Sequence, residues 1–356
     1  MKKTLRELLV PQAKSKIKAG DGLQEGKYKF FTCSPIQNKF YDEATFTCPS
    51  LIFGTGGNAS VHYCNEPFST STDCLVMYGT VGANLELIYQ YLHTNLHILQ
   101  AGFKGAGLQH ISKDYILDID IDLPDEEMQT HITNQIREID NMIVYRNQQL
   151  SIYDNLVKSR FIEMFGDPVT NPKGWAKRKH SDECDIVTGN TPSRKIPEYY
   201  GDYIEWIKSD NINTPSEILT SAEEYLSQSG LEVGRYVDAG AILMTCIAGS
   251  IGCIGNVAIA DRKVSFNQQI NGIIPKANNT WFMYVLFELT KKEIQSSINM
   301  ALKGILSKGQ LSEMEFIFPP IDLQNEFATF VEQTDKLKFD SINCLKNLLK
   351  IHLYEV

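Results

Sequence analysis

The longest regular pattern of apolar positions lies in the middle of the chain, between residues 125 and 164. Positions that repeat at alternating steps of four and three form one seam: Ile132, Ile136, Ile139, Ile143, Arg146, Leu150, Tyr153, Val157 and Arg160. This heptad spacing is typical of a helix that packs along its length against another helix. About 40 residues at roughly 1.5 Å each give a helix near 60 Å long. The alternative is a core helix that spans a single domain.

A second heptad seam begins at about residue 323. Its positions are Phe327, Phe330, Thr334, Leu337, Ser341, Leu345, Leu348 and His352. Polar residues interrupt this seam, so the helix is a poor homodimer but a suitable partner for the first helix. We predict that the two helices lie antiparallel, bury their seams against each other and hold a globular domain at each end.

Two pairs of segments, separated by about 195 residues, share one pattern. Residues 119–129 and 314–324 each contain a short apolar alternation that stops at Pro and leads to a Gln at the start of a helical pattern. Residues 49–58 resemble residues 239–250, since both indicate a buried strand that runs into a glycine-rich turn. Two copies are too few for a solenoid. The pattern predicts a duplicated module, in which a strand-rich domain is followed by a long helix.

The domain boundaries follow from turn residues. Residues 165–174 contain two Gly and two Pro, which end the first helix. The chain is thereby divided into a globular domain over 1–124, a helix over 125–165, a globular domain over 166–320 and a helix over 321–356. The predicted fold class is α+β, with two globular domains separated by two long antiparallel coiled-coil helices and a pseudo-twofold internal repeat.

Composition and charge narrow the class of protein. The 356 residues are 43% hydrophobic and 10% aromatic, which excludes a disordered or fibrous chain. No apolar run approaches the roughly 18 residues that span a bilayer, and the charged start does not resemble a signal peptide, so we expect a cytoplasmic protein. The eight cysteines contain no C-x-x-C pair, which favours reduced thiols. A net charge of −9 argues against coating of nucleic acid through bulk charge and leaves room for local basic patches only.

The sequence contains no motif for catalysis or cofactor binding. Residues 22–28 approach a phosphate-binding loop, but the spacing is wrong and Tyr28 replaces the hydroxyl residue. The glycine-rich residues 54–58 and 249–255 do not fit a dinucleotide-binding fingerprint. They are tight turns or, alternatively, places where the backbone approaches a ligand. His93 and His97 share a helix face without a third ligand, so we expect a structural role for them and no metal.

Polar side chains on loops are the remaining candidates for function. Asn and Gln can bond an adenine edge, Arg and Lys a guanine edge, and Ser and Lys reach phosphates. The candidates in the second domain are Asn190, Thr191, Ser193, Arg194, Lys195, Lys208, Asn211, Ser250, Gln268, Gln269, Lys303 and Lys308. The candidates in the first domain are Thr32, Ser34, Lys39, Lys104 and Gln109. For Gln268 and Gln269 the alternative is hydrogen bonding to the backbone inside the domain.

The order of several short motifs resembles the specificity subunit of type I restriction-modification systems. The motifs are Gly189-Asn190-Thr191-Pro192, residues 199–207, Gly240-Ala241-Ile242-Leu243, Gly249-Ser250-Ile251-Gly252, Asn267-Gln268-Gln269-Ile270, Phe318-Pro319-Pro320-Ile321 with Gln324, and residues 159–167. Each is weak alone, but their order and the duplication are specific. The resemblance covers essentially the whole chain.

The resemblance implies two target-recognition domains, each of which binds one half of a split DNA site, with the two helices setting the spacer. It also implies that partner subunits carry the chemistry. Two methyltransferase subunits would methylate adenine N6 from S-adenosylmethionine, and a restriction subunit, where present, would cleave the DNA. This chain would bind no cofactor itself. The first domain departs from the family pattern, because it shows no counterpart of residues 189–192 and 199–207.

Two other classes of function compete with a non-catalytic DNA-recognition subunit. An enzyme that both recognises and modifies DNA requires a cofactor loop or a metal cluster, and the sequence shows neither. A coiled-coil scaffold that binds only proteins would show no sequence preference for DNA, even with methyltransferase partners present.

Overall fold

The computed structural model describes residues 2–105, 107–298 and 304–354. Two compact units divide the chain. The first contains the residues up to Asn147 together with those from Asn343 onward, and the second is Gln148–Ile342. No helix within the described residues is both long and apolar enough to cross a bilayer.

The first unit is built from short strands and helices around buried apolar strands. Its strands are β1 (Lys2–Thr4), β2 (Leu9–Pro11), β3 (Tyr28–Phe31), β4 (Lys39–Tyr41), β5 (Ser50–Gly54), β6 (Ser60–Cys64), β7 (Phe68–Thr70), β8 (Cys74–Gly79) and β9 (Asp120–Asp122). Its helices are α1 (Leu5–Leu8), α2 (Leu85–Thr94), α3 (Leu96–Gln100), α4 (Lys113–Leu117) and the first part of α5 (Glu126–Phe165). One antiparallel sheet has the order β2-β8-β5-β6 and a second sheet the order β4-β3-β7, while β1 pairs with β9. Every residue of β5 is buried, which places this apolar strand at the centre of the core.

The second unit has corresponding elements. Its strands are β10 (Lys177–Lys179), β11 (Cys184–Thr188), β12 (Tyr200–Ile207), β13 (Tyr225–Leu226), β14 (Tyr236–Val237), β15 (Ile242–Thr245), β16 (Val257–Ile259), β17 (Val264–Phe266), β18 (Ile270–Pro275) and β19 (Glu315–Ile317). Its helices are the remainder of α5, α6 (His180–Glu183), α7 (Gln228–Val233), α8 (Thr280–Ser296), α9 (Lys308–Glu313) and most of α10 (Ile321–Tyr354). The sheets have the orders β11-β18-β15-β16, β13-β12-β17-β14 and β10-β19.

The sheet topology confirms the internal duplication and the α+β fold class. The order β11-β18-β15-β16 repeats β2-β8-β5-β6, and the pair β10-β19 repeats β1-β9. The predicted match between residues 49–58 and 239–250 makes β5 the counterpart of β15, and the two strands occupy the same position in their sheets. The same glutamine contact occurs in both copies, since Nε2 of Gln129 donates to Pro124 O (2.9 Å) and Nε2 of Gln324 donates to Pro319 O (2.8 Å).

The expectation that the first domain lacks a counterpart of the aromatic strand at 199–207 is wrong. Strand β3 occupies that position, because it pairs in parallel with β7 as β12 pairs in parallel with β17. Phe30 lies opposite Ser69 where Trp206 lies opposite Ser265. The similarity is hidden in the sequence because β3 has four residues and β12 has eight.

Helix α5 is continuous over its 40 residues. It ends where the turn residues predict, since Gly166 has a φ of 77° and its amide donates to Ile162 O at 2.8 Å. Glycine adopts this left-handed conformation without strain, which makes it a common residue just after a helix. All nine predicted seam positions are buried or half-buried, while most positions between them are exposed.

Within the second unit, α5 and α10 are antiparallel. The ring centroids of Phe161 and Phe327 lie 5.4 Å apart, and Gln149 earlier on α5 accepts a hydrogen bond from Ser341 later on α10 (3.3 Å). The predicted seam position Leu337 is wrong, because that side chain is 50% exposed and the neighbouring Lys338 is only 8% exposed. The seam therefore turns by one residue at this point. The side chain of His352 lies outside the described residues.

Candidate nucleic-acid interface

In the second unit, the loops that carry the predicted candidates lie side by side along one edge. These loops are residues 188–195, 208–211, 246–250, 267–269 and 304–308. Backbone hydrogen bonds join them in sequence: Asn190 N to Phe266 O (3.1 Å), Asn267 N to Ile207 O (3.1 Å), Cys246 N to Gln269 O (2.7 Å) and Leu306 N to Cys246 O (2.9 Å). The candidate residues of the second domain thus converge from segments far apart in the chain.

Two of the predicted cations share one carboxylate on this edge. A guanidinium nitrogen of Arg194 lies 2.6 Å from Glu224, and the guanidinium stacks at 4.3 Å from the ring centroid of Tyr200 and 5.1 Å from that of Trp206. Lys208 also donates to Glu224 and lies 5.7 Å from the Trp206 ring. The hydrogen bond from Lys208 holds the pKa of Glu224 below its usual range, and the hydrogen bond from Arg194 adds to this effect. Glu224, which sequence reasoning missed, therefore offsets both cations in the free chain.

The two glutamines bond side chains rather than backbone. The exposed Gln268 accepts a hydrogen bond from the Thr191 hydroxyl. Gln269 is half-buried, and its Oε1 accepts from Asn267 Nδ2 (3.2 Å) and from the Ser209 hydroxyl (3.4 Å). The side chains thus form a polar row along the edge, with Gln268 the more accessible to a ligand.

Two predicted asparagines hold the loops in place. Asn190 donates through Nδ2 to Val233 O at 2.8 Å, and its buried Oδ1 has no hydrogen-bond partner in the described part of the chain. Asn211 accepts from the amide of Lys208 (3.0 Å) and donates to Ser221 O (2.9 Å). The Asn211 side chain is therefore largely occupied by backbone groups of its own turn and of the segment at residue 221.

The remaining candidates of the second domain that the structure describes are exposed. Ser193 accepts from the amide of Lys195 (3.4 Å), and Ser250 accepts from the amide of Gly252 (3.3 Å) within the short 3-10 turn that Ser250 caps. Lys308 is the first residue of α9. Neither Lys195 nor Lys308 forms an ion pair within the described ranges, which leaves both ammonium groups available to a phosphate. Lys303 lies outside the described residues.

The first unit brings most of its candidates to the corresponding edge. Thr32 and Ser34 follow β3, and the Ser34 amide donates to the Thr32 hydroxyl at 3.3 Å. Gln109 O accepts from the Gly57 amide (3.1 Å), while Lys104 and His110 exchange two backbone hydrogen bonds of 2.9 and 3.0 Å. The Gly57–Gln109 bond joins residues 54–57 to 104–110, and the Ser60 hydroxyl, opposite Gly54, donates to Cys33 O (3.2 Å) and so links residues 32–34 to the same place.

Lys39 is the exception among the first-domain candidates. It belongs to β4, and its ammonium donates to Ala19 O at 3.0 Å. That side chain is therefore engaged by the fold rather than held out to a ligand.

Comparison of the two units identifies Lys113 as the counterpart of Lys308. The Ile111 amide donates to Thr55 O (3.1 Å) just as the Leu306 amide donates to Cys246 O, and in both units the next residue is a Ser that caps a short helix. The exposed Lys113 then occupies the first position of α4. The Ser-Lys pairs at 112–113 and 307–308 were the sequence signal that could have found it.

A charged cavity lies in the second unit. It has a volume of about 270 Å³ and is bounded by α5, α8, α10 and the loop around residue 215. Lys338 lies 2.6 Å from Asp154, donates to Glu217 and lies 3.9 Å from Asp335. Burial raises the pKa of Asp335 to about 6, the charge of Glu217 adds to the rise, and Lys338 opposes it. No three His, Cys, Asp or Glu side chains of the described residues are arranged to hold a metal.

Two specificity subunits of type I restriction enzymes are similar in sequence to about half of this chain. The HindI type I restriction enzyme specificity subunit of Haemophilus influenzae is 29% identical over 179 residues, which are 46% of this chain and 37% of the relative. The MjaIX type I restriction enzyme specificity subunit of Methanocaldococcus jannaschii is 32% identical over 178 residues, 47% of this chain and 39% of the relative. The matches thus span less than half the length of these curated relatives.

A solved structure shares the fold of this chain. The crystal structure of a type I restriction-modification system S subunit from M. genitalium matches with a TM-score of 0.63 and 13% identity, covering 100% of this chain and 95% of that chain. The family model described as the type I restriction modification DNA specificity domain matches residues 1–151 and 172–350. Since these ranges include most of the chain, the protein belongs to the type I restriction modification DNA specificity domain family.

Proposed function

We propose that this chain is the sequence-specific DNA-recognition subunit of a type I restriction-modification complex. Each of its two domains binds one half of a bipartite site. One observation carries the proposal: in two units with the same sheet topology, polar loops from distant parts of the chain converge on the same edge. Family membership and the names of the two relatives support it.

The chemistry of the edge in the second unit suits duplex DNA. The exposed ammonium groups of Lys195 and Lys308 can bind phosphates, which position a protein on the duplex without selecting a sequence. Arg194 and Gln268 carry groups that pair with guanine and adenine edges in the major groove. With a net charge of −9, this chain neutralises few phosphates itself, so we assign much of that role to partner subunits.

The chain directs a reaction that its partners perform. We assign adenine methylation to two methyltransferase subunits that bind S-adenosylmethionine, and cleavage to a restriction subunit where the system has one. This chain is then non-catalytic and binds no cofactor. The division into target-recognition domains over 1–124 and 166–320, with spacer helices between and after them, belongs to the same proposal.

Exchange of one domain tests the proposal. Residues 166–320 are replaced by the corresponding segment of another family member, and methylated adenines are mapped by sequencing in cells that supply the methyltransferase. We expect a new sequence in one half of the site and the original sequence in the other. Exchange of residues 1–124 is the matched control and should change the opposite half. If either exchange changes both halves of the site, the modular assignment is wrong. If the methylated sequence is the same whichever chain is present, the proposed function is wrong.

A further inference from the structure

Two cysteines from distant parts of the sequence meet in the first unit. Cys74 begins β8 and lies opposite Gly54 of β5. A Cβ atom on Gly54 would lie 2.9 Å from the Cα of Cys33, so the missing side chain is what allows Cys33 to approach β5 beside Cys74. Each thiol donates to a backbone carbonyl beside the other cysteine: Cys33 Sγ to Asp73 O (3.1 Å), next to Cys74, and Cys74 Sγ to Phe31 O (3.6 Å), two residues before Cys33. Cys33 is half-buried and Cys74 is buried.

The surroundings of the two thiols differ in a way that matters for reactivity. The neighbouring Cys74 thiol lowers the pKa of Cys33 to about 6, and the nearby amides of Gly56 and Thr55 lower it further against the effect of burial. The proximity of Cys33, followed by burial, raises the pKa of Cys74. Of the two thiols, Cys33 is therefore the one that loses its proton more readily. The thiolate is the reactive form of cysteine, so the half-buried Cys33 is the residue of the pair that an oxidant meets first.

We propose that Cys33 and Cys74 form a peroxide-sensitive thiol pair, in which Cys33 is oxidised first and Cys74 closes a disulfide. The proposal does not rest on the DNA-binding function. The cysteine pair lies beside Thr32, Ser34 and the Gly54–Gly57 turn. A disulfide between the two cysteines would therefore form at the edge where the first-domain candidates lie.

The reaction balances with hydrogen peroxide as the only oxidant. The Cys33 thiolate attacks one peroxide oxygen, the O–O bond breaks, and the hydroxide that leaves takes up a proton to become water. The sulfenic acid on Cys33 is uncharged, so the charge that held the Cys74 proton in place is removed. The Cys74 sulfur then loses its proton, attacks the Cys33 sulfur and expels hydroxide, which becomes the second water. Two thiols and one peroxide give one disulfide and two waters.

The other cysteines provide internal comparisons. Cys48 is exposed and Cys64 is buried, and burial raises the pKa of Cys64. Burial also raises the pKa of Cys184 and of Cys246 in the second unit to about 12. If exposure alone decided oxidation, Cys48 would react before Cys33.

Peptide mapping of the full chain tests the proposal. The reduced protein is treated with a small excess of hydrogen peroxide, blocked with N-ethylmaleimide and digested with chymotrypsin, whose sites place each nearby cysteine in its own peptide. Cys33 falls in residues 32–40, Cys48 in 47–51, Cys64 in 64–68 and Cys74 in 69–75. We expect a linked 32–40/69–75 pair that dithiothreitol separates, while Cys48 remains blocked by maleimide.

Variants assign the order of the two steps. Cys33→Ser should leave Cys74 unoxidised, Cys74→Ser should leave a sulfenic acid on Cys33 that dimedone captures, and Cys48→Ser should not affect the link. Because Cys74 is buried, circular dichroism is used to check that the Cys74→Ser variant folds. If that variant does not fold, the peptide maps of the wild-type protein and of Cys33→Ser are sufficient to test the proposal. The proposal is overturned if no linked pair forms at peroxide concentrations that oxidise Cys48, or if Cys33 links to a different cysteine.

Discussion

Replacing Asp335 by Asn is expected to stabilise the second unit at pH 8 and to leave its stability nearly unchanged at pH 4. Asp335 lines the charged cavity, where Asp154 and Glu217 add negative charge and Lys338 is the nearest cation at 3.9 Å. Because the folded state raises the pKa of this carboxyl, folding favours its protonated form. The protonated Asp335 carboxyl contributes its full stabilisation to the folded state below about pH 4, and this stabilisation is lost as the pH rises through about 6. Asn imitates the protonated carboxyl at every pH.

The size of the effect follows from the pKa change. A rise from 3.8 to about 6 corresponds to a penalty of about 3 kcal/mol for the ionised group, at about 1.4 kcal/mol per pKa unit. The Asp335 side chain is 30% exposed, so water screens part of this penalty. Asn also loses the attraction to Lys338. We therefore expect a gain of about 1–2 kcal/mol in the free energy of unfolding at pH 8.

Tryptophan fluorescence during urea unfolding measures this gain in the intact chain. All three tryptophans, Trp175, Trp206 and Trp281, belong to the second unit, so the signal reports on that unit. Asp340→Asn is the matched control, since Asp340 is exposed on the same helix and should give the wild-type midpoint at both pH values. A lower midpoint for Asp335→Asn at pH 8, or an equal gain at pH 4 and pH 8, would refute the reasoning.

Arg194→Ala should weaken binding of the assembled complex to its site by about 1–3 kcal/mol and relax selection in one half only. Fluorescence anisotropy with variant sites measures this, and unchanged affinity and site choice would exclude Arg194 as a contact. Lys308→Ala and Lys113→Ala should each reduce the slope of log affinity against log salt by about 1 without changing the methylated sequence, as a salt titration would show. Inserting four residues after Ile143 adds about 6 Å and roughly one helical turn, so mapped methylation should show unchanged half-sites with a longer gap. A one-residue insertion rotates the seam by about 100° and should impair assembly. An unchanged gap in an active complex with the longer insertion would contradict the spacer role.

The patterns with a short period were the ones that the sequence allowed us to predict. The nine seam positions of α5 are buried or half-buried because a heptad repeat fixes one face of a helix regardless of the rest of the fold. The prediction that Leu337 lies in the seam was wrong because a search for apolar positions treats the neighbouring lysine as polar and therefore as exposed. Lys338 instead enters the cavity with its charge met by Asp154 and Glu217, which no local pattern encodes.

Pairings between distant segments could not be predicted from the sequence. Arg194 meets Glu224 across 30 residues, and Cys33 meets Cys74 across 41. The match of β3 to β12 is likewise defined by parallel neighbours rather than by similar residues. Sequence reasoning therefore identified the loops of the candidate interface correctly as polar, but not which of their charges the fold already neutralises.

The strand pairs β1-β9 and β10-β19 affect how genes that encode this fold can exchange whole domains by recombination. In each copy the strand that enters the domain lies antiparallel to the strand that leaves it, immediately before a long helix. The two ends of the domain are thus held together by its own backbone hydrogen bonds, and a replacement needs only to supply the same pair of strands. A genetic crossover within the helix-coding stretches exchanges a complete folding unit. Under the proposed function, recombination between existing genes can then produce new specificities without point mutations accumulating in the core.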